Sequence, residues 1–453
     1  MSGLPYDITS SDSIKKYADN LVGHSLAQVV NELPLDAYKL TNKGRLGSMV
    51  EEYFFRYVPG ADTDHNPDFR EAGMELKVTG VVPRSPSEDF KASYKAKERL
   101  VLTMISYIAL ADESWEASSV LKKCRLMLIL FYLYEKDISV SDLKFVLPPL
   151  KWEFPAEDLE VIRKDWYTIQ QKVLDGKAHE LSEGDTFYLA ACRKGSGGEK
   201  ERLREQPYSD IKAKARAFSL KPSYVNVMIE AAHSETVSKT LLESTVDAER
   251  GIEEIVREKF KPFMGYDVSE LIVRFGLSDQ NLKAKGLFHA LAMRILGTKK
   301  KHLPEFEKAG IILKTIRLKA NGSSKESMSF PNFDFIKLAE QNWEESDLYD
   351  ILNQKFLFII FQYDENDTLR FKKIMFWNMP YSDRLAARTA WIRTQQAIIH
   401  SKPSNFPKVS NSPVVHVRPH GRNALDVLEL PDGSVFPKQC FWLNAGYIAD
   451  QVR

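Results

Sequence analysis

The sequence predicts an α/β (α+β) protein made of two tandem copies of one domain, each a mixed central sheet flanked by helices. Two observations carry that prediction. Strand-like and helix-like patterns intermingle along the chain instead of separating into blocks, the arrangement of sheets layered with helices. And one series of landmarks occurs twice in the same order. KGRLGSMVE at Lys43–Glu51 returns as KGLFHALAM at Lys285–Met293. DFREAGMELKV at Asp68–Val78 returns as EFEKAGIILKT at Glu305–Thr315. RLMLILFY at Arg125–Tyr132 is matched by KFLFIIFQ at Lys355–Gln362, DWYTIQQ around Trp166 by AWIRTQQ around Trp391, and AFSLKPSYV at Ala217–Val225 by CFWLNAGYI at Cys440–Ile448. A repeat of about 200 residues is too long for a solenoid and reads as a duplicated domain. The polar stretch AHSETVSKTLLESTVDAER, Ala232–Arg250, separates the copies. The expected division is 1–235, a linker at 236–250, and 251–453.

The elements of the first copy follow in order. Ser11–Leu33 has the spacing of an amphipathic helix, and Lys43–Tyr57 places Leu46, Met49, Val50, Phe54 and Tyr57 on one helical face. Met74–Val82 alternates as a strand, and Arg99–Leu110 and Arg125–Tyr134 read as further strands. Asp158–Leu174 reads as a helix.

Bulk properties bound the function. The 453 residues suggest two to three domains, and 43% hydrophobic with 28% charged residues is a globular composition. A net charge of +1 excludes a uniformly basic protein but not a local basic groove, which is what a DNA backbone feels. Cys124, Cys192 and Cys440 are odd in number and widely spaced, against a disulfide framework or a structural zinc site. The N-terminus has no apolar signal core, and the longest apolar run, Leu126–Tyr134, is too short to span a bilayer. A bacterial cytoplasmic protein with no membrane partner is the expectation.

The chemistry concentrates in Asp68, Glu75 and Lys77. Alternation along a strand sends Glu75 and Lys77 to one face, while Asp68 arrives from the preceding loop. Two carboxylates can hold a hard divalent cation. The cation polarises a phosphodiester and acidifies water; the lysine can position or deprotonate that water or stabilise the developing charge. In the second copy Asp68 is matched by Glu305, Glu75 by Ile312, Lys77 by Lys314 and Glu51 by Met293. A solvated strand edge has no reason to trade Glu for Ile and Met on a retained framework, whereas a live site beside a decayed one does. Glu51 is either a surface glutamate or a further polar group reaching the metal or Lys77. Lys123, aligned with Asn353, either contacts the scissile phosphate or is a solvated lysine at a strand end.

These motifs resemble a known family. KG-x-x-G-x-x-x-E followed by D-F-x-x-x-G-x-E-L-K is similar to the MutH mismatch-repair endonuclease, and more so to the two-domain GATC-cutting restriction endonucleases of the Sau-three-A kind. KERLVLTMISY, GKAHELSEG, QPYSDIKAKARAFSLK and KESMSF extend the likeness over nearly the whole chain. The resemblance implies a PD-(D/E)xK, MutH-like fold in both copies and a Mg²⁺-dependent double-strand cut 5′ of the G in GATC. It places metal-binding acids at Asp68 and Glu75, the catalytic lysine at Lys77, the helix glutamate at Glu51 and a further active-site lysine at Lys123. It makes the second copy a catalytically dead domain that binds another GATC and activates the first, a type IIE arrangement.

Base reading requires side chains in the grooves. Arg193–Lys221 carries nine Lys/Arg against four Asp/Glu, and the family match makes it a recognition loop with Arg193, Lys194 and Lys221 near DNA; a floppy charged loop is the alternative. In the second copy HVRPHGRNA, His416–Ala424, is nearer the family's recognition loop: Arg418 matches the base-reading arginine, where the first copy has Cys192. Arg418, Arg422 and Trp442 suggest a DNA-binding second copy. Lys299, Lys300 and Lys301 are a phosphate-contacting run or a solvated one, and His416 and His420 are a metal pair or, better, structural or DNA-contacting groups. The expected protein is a type II restriction endonuclease, monomeric when free and pairing on double-stranded DNA. A MutH-like GATC nickase is disfavoured by the second copy, and a non-catalytic GATC-binding regulator by the intact first-copy acids.

Overall fold

The computed structural model describes residues 4–31, 33, 44–56, 66–85, 92–195, 203–233, 245–278, 286–298 and 303–453. Lys43, Tyr57, Lys285, Lys299, Lys300, Lys301 and 236–244 of the expected linker lie outside the described residues. The first half carries β1 (Glu75–Pro83), β2 (Tyr94–Ala96), β3 (Leu100–Met104), β4 (Leu126–Leu133), β5 (Leu150–Glu153), β6 (Leu189–Arg193), β7 (Arg204–Gln206), β8 (Ser209–Ala213) and β9 (Arg216–Leu220). The second carries β10 (Ile312–Leu318), β11 (Met328–Asn332), β12 (Phe356–Tyr363), β13 (Leu369–Trp377), β14 (Val415–Pro419), β15 (Val427–Glu429), β16 (Val435–Pro437) and β17 (Gln439–Leu443).

The duplication is visible in the topology. The first mixed sheet runs β2-β1-β4-β5, with β1 parallel to β4; the second runs β10-β12-β13, with β10 parallel to β12. Each half adds an antiparallel sheet, β3-β9-β6 and β11-β17-β14. The glycines aligned in sequence, Gly73 and Gly310, share a left-handed backbone at φ 61 and 62. The pairing of Arg418 with Cys440 repeats that of Cys192 with Ala217, as the sequence match requires. One alignment shifts: β1 sets Glu75 opposite Met127, and β10 sets Ile312 opposite Phe356, a residue off the match of Arg125 to Lys355. The serine-capped helices before those strands, Ser119–Cys124 and Asp347–Leu352, accordingly equate Lys123 with Ile351 rather than Asn353.

Strand β4 is apolar throughout because both its faces are covered. Leu128 and Leu130 pack with the N-terminal helices in one cluster. Met127, Ile129 and Phe131 face a second cluster, which also takes Leu357, Ile359 and Phe361 from β12. The two copies thus share a central core. Their border is also polar and buried: Lys308 Nζ lies 2.8 Å from both carboxylate oxygens of Asp158, Lys221 Nζ donates to Ala309 O at 3.2 Å, and Asn378 donates to Asp185 at 2.8 Å.

Some local expectations change. The helix expected over Ser11–Leu33 is broken into Ser11–Ala18, a short turn and Leu26–Val29, with Gly23 at φ 80 between them. The strand expected over Arg99–Leu110 stops at Met104; Ser106 then caps a helix, Tyr107–Asp112, that buries Tyr107 and Leu110. The helix Thr245–Arg250 ends the expected linker, buries Ala248 and receives a hydrogen bond from Lys164. All three cysteines are free and buried, and no helix among the described residues is long and apolar enough to cross a membrane.

Candidate active site

Four local devices bring the five expected groups together. Phe69 and Met74 exchange backbone hydrogen bonds of 2.9 and 3.1 Å, closing a turn through Gly73 that delivers Asp68 to the start of β1. Phe69 is anchored among Tyr6, Phe55 and their neighbours, with ring centroids 5.0 Å from Phe55. The same aromatic cluster holds the helix bearing Glu51. That helix passes into a π-turn over Val50–Phe54, closed by Phe55 N to Val50 O at 3.0 Å, a distortion often found where a helix serves a site. Glu75 and Lys77 stand on one face of β1, and Ser118 caps the helix whose last turn presents Lys123.

Glu75 is the hub. It is 1% exposed; its Oε1 accepts from Lys77 Nζ at 2.7 Å and lies 3.3 Å from Lys123 Nζ, while its Oε2 accepts from the Asp68 backbone at 3.2 Å. Asp68 is half-buried, and its Oδ2 accepts from Leu76 N at 2.9 Å. Lys77 also donates to the carbonyl of Leu102, at 3.2 Å. Residue patterns gave no sign of that last contact, since a backbone carbonyl has no sequence signature.

The electrostatics are those of crowded carboxylates. Burial pushes Glu75 up, with Asp68 adding to it and Lys77 and Lys123 opposing. Glu51 is raised to about 7, by burial first and then by Asp68 and Glu75. Burial pulls Lys77 down, but Glu75, Cys124 and Asp68 together more than offset it, so the ammonium is held above its ordinary value. At the matching place in the second half Met293 is buried, Ile312 replaces the hub, and burial alone pushes Lys314 down.

Among the described residues no three metal-ligating side chains are gathered closely enough to enclose an ion. The donor set nevertheless fits a divalent cation. Asp68 and Glu75 offer hard carboxylate oxygens, and the burial and mutual repulsion that raise Glu51 and Glu75 are what such a cation offsets.

The expected DNA-contacting residues are placed differently. Arg418 is exposed on β14, its guanidinium 3.7 Å from the ring centre of Trp442 on β17, and the Arg422 side chain is 90% exposed. Lys194 is half-buried, and Arg193 lies 3.3 Å from Glu344 of the second half. Lys221 corrects the expectation. It is 1% exposed, donates to Thr186 O and Ala309 O, and is lowered to about 8 by burial, so it is an interior strut and not a DNA contact. His416 and His420 have their Nδ1 atoms held by Asn444 and Asn332, at 2.6 and 3.0 Å.

A carboxylate pair closed by a lysine at the head of a strand in a mixed sheet defines a nuclease of the PD-(D/E)xK class. The family model described as DNA mismatch repair enzyme MutH matches residues 57–165 and again 296–388. The chain is 35% identical to Type II restriction enzyme Sau3AI of Staphylococcus aureus, covering 91% of this chain and 93% of that one. It is 24% identical to DNA mismatch repair protein MutH of Serratia proteamaculans, over 51% of this chain and 96% of the relative. To MutH of Actinobacillus pleuropneumoniae it is 25% identical, over 38% of this chain and 72% of the relative. The chain belongs to the family of Sau3AI-like, MutH-fold type II restriction endonucleases. Such nucleases act on DNA and generally use a divalent metal.

Proposed function

We propose that this endonuclease cuts both strands of DNA at GATC, 5′ of the G, with Mg²⁺ and in the bacterial cytoplasm. Residues 1–235 form the cutting unit, and 251–453 a unit that binds a second GATC and promotes cutting. One observation carries the reading: Glu51, Asp68, Glu75, Lys77 and Lys123 converge in the first half, while Met293, Ile312 and the half-buried Lys314 occupy that place in the second.

Asp68 and Glu75 would hold the ion, which would supply Lewis-acid polarisation of the phosphodiester and make water a stronger acid. Lys77, fixed by Glu75 and the Leu102 carbonyl, orients the attacking water and meets the charge that develops on the phosphate. Lys123 neutralises Glu75 in the free protein and contacts the scissile phosphate when DNA binds. Glu51 accepts a proton or adds a ligand at the ion's edge. Arg418, Arg422 and Trp442 present a cation and an aromatic surface to the second DNA, and Arg193 and Lys194 serve the first. With one cutting site per chain, two chains meet on DNA to break both strands.

Digestion of a plasmid of known sequence with Mg²⁺ tests this. Linear product with ends at GATC is expected; persistent nicked circles would sink the double-strand reading. Glu75→Gln and Lys77→Met should each lower cleavage by about 10²- to 10³-fold, the scale of losing an electrostatic catalytic group, with duplex binding retained. Unchanged cleavage in either would remove the site assignment.

A further inference from the structure

The segment that delivers Asp68 in the first half has a counterpart with a different fate. Asp68-Phe69-Arg70-Glu71-Ala72-Gly73 corresponds to Glu305-Phe306-Glu307-Lys308-Ala309-Gly310. In the second half this stretch forms the helix Pro304–Ala309, ended by Gly310 in the left-handed conformation. It faces two ways. On one side Leu303, Phe306 and Gly310, with Met293, Ile312 and Leu313, line a cavity of about 400 Å³ where the decayed site stands. On the other its last turn is gripped by the catalytic half.

The grip has several points. Lys308 lies 2.8 Å from both oxygens of Asp158, a residue 2% exposed, whose Oδ2 also accepts from Tyr224 OH at 2.7 Å. Ser223 Oγ donates to Lys308 O at 2.9 Å, and Lys221 to Ala309 O at 3.2 Å. Ser223 and Tyr224 open the helix Pro222–His233. Farther along, that helix reaches the catalytic sheet: Asn226 accepts from Ala96 N of β2 at 2.8 Å, and Glu230 accepts from Ala92 N at 3.2 Å and pairs with Arg84 at 3.0 Å. Arg84 immediately follows β1, the strand of Glu75 and Lys77, and also feels the charge of Glu307.

We propose that the helix Pro304–Ala309, a converted metal-loop segment, is the coupling element that carries the DNA-bound state of the second half to β1 and β2 of the catalytic half. The reasoning is mechanical. A short helix pinned by a buried ion pair on one side, with a cavity on the other, has room to shift as a unit. A buried bidentate pair does not stretch gradually; it is made or broken, so a shift of Lys308 drags Asp158, Tyr224 and the helix Pro222–His233 with it. The change from Glu71 to Lys308 in the duplicated segment supplies the cation that the catalytic half's Asp158 requires. This inference rests on the effector reading given above.

The test compares cleavage of a one-site plasmid with and without an added GATC duplex, using wild type, Lys308→Met and Lys308→Arg. Duplex binding is measured by fluorescence anisotropy. Wild type should be stimulated. Lys308→Met should bind the duplex and keep its unstimulated rate but lose most of the stimulation, a drop on the order of 10-fold, and Lys308→Arg should restore part of it. If wild type itself is not stimulated, the effector reading fails. If wild type is stimulated and Lys308→Met equally so, the coupling helix fails while the effector reading stands. Hydrogen exchange of wild type guards against a misfolded variant: the amides of Ala92 and Ala96 should change protection when the duplex binds, and no change there would overturn the proposal.

Discussion

Glu75 shows why the candidate site cannot be read as a row of surface charges. A carboxylate at 1% exposure is tolerated because two ammonium groups and a backbone N–H converge on it. Glu51 is raised by burial first and then by the charges of Asp68 and Glu75, which Lys77 and Lys123 only partly oppose, so its carboxyl is held up to about 7. Loading a cation must then expel a proton below that pH. Mg²⁺ affinity should therefore rise between about pH 6 and pH 8. Glu51→Gln should flatten the rise, and calorimetric titration across that range checks it; an identical slope in the variant would remove Glu51 from the metal's surroundings. The motif residues Glu75 and Lys77 were legible because strand alternation fixes their common face, and Asp68 because it closes the loop just before that strand. Lys221 was misplaced because a positive charge beside a basic loop looks solvent-bound, and nothing local reveals that Thr186 and Ala309 supply carbonyls to it.

The helix Ala156–Leu174 gives a second kind of lesson. Its period marks it plainly, but the work of one turn is invisible in the period. Asp165, 2% exposed, accepts backbone hydrogen bonds from Phe187, Tyr188 and Leu189 at 2.6–2.9 Å and so ties the helix to the start of β6. Asp165→Asn replaces an acceptor by a donor facing those amides and should cost on the order of 3 kcal/mol. Burial pushes this carboxyl up to about 6 from 3.8, so folding favours its protonated form. That contribution is complete below pH 3.8 and is lost as pH rises through about 6. The stability gap between wild type and Asp165→Asn, read from urea unfolding, should widen as pH falls below about 6; a gap that narrows instead would contradict the burial argument.

Across the molecule, the two copies share one apolar core. Met127, Ile129 and Phe131 of one sheet and Leu357, Ile359 and Phe361 of the other belong to a single apolar cluster. Asp158 is buried in the first copy with its cation in the second. A fragment of residues 1–235 would expose that core, so it should be insoluble or molten. Circular dichroism and proteolysis of the fragment check this, and a cooperative, protease-resistant fragment would show the shared core to be dispensable. At the same scale, a plasmid with two GATC sites should be cut faster than one with a single site; equal rates would deny the second copy its effector role.

The sequence by itself determined the duplicated architecture, the strand that carries Glu75 and Lys77, and the contrast between the acidic residues of the first copy and the apolar ones that match them in the second. These depend on local periodicity and on residue-by-residue comparison of two copies, which a chain displays without folding. Only the tertiary structure decided how the copies meet: the core shared between β4 and β12, the interior place of Lys221, the union of Lys308 with Asp158, and the Leu102 carbonyl that fixes Lys77. Those contacts join residues far apart in the chain through burial and backbone atoms. Neither a face pattern nor a motif records which distant surface will exclude water from a charge.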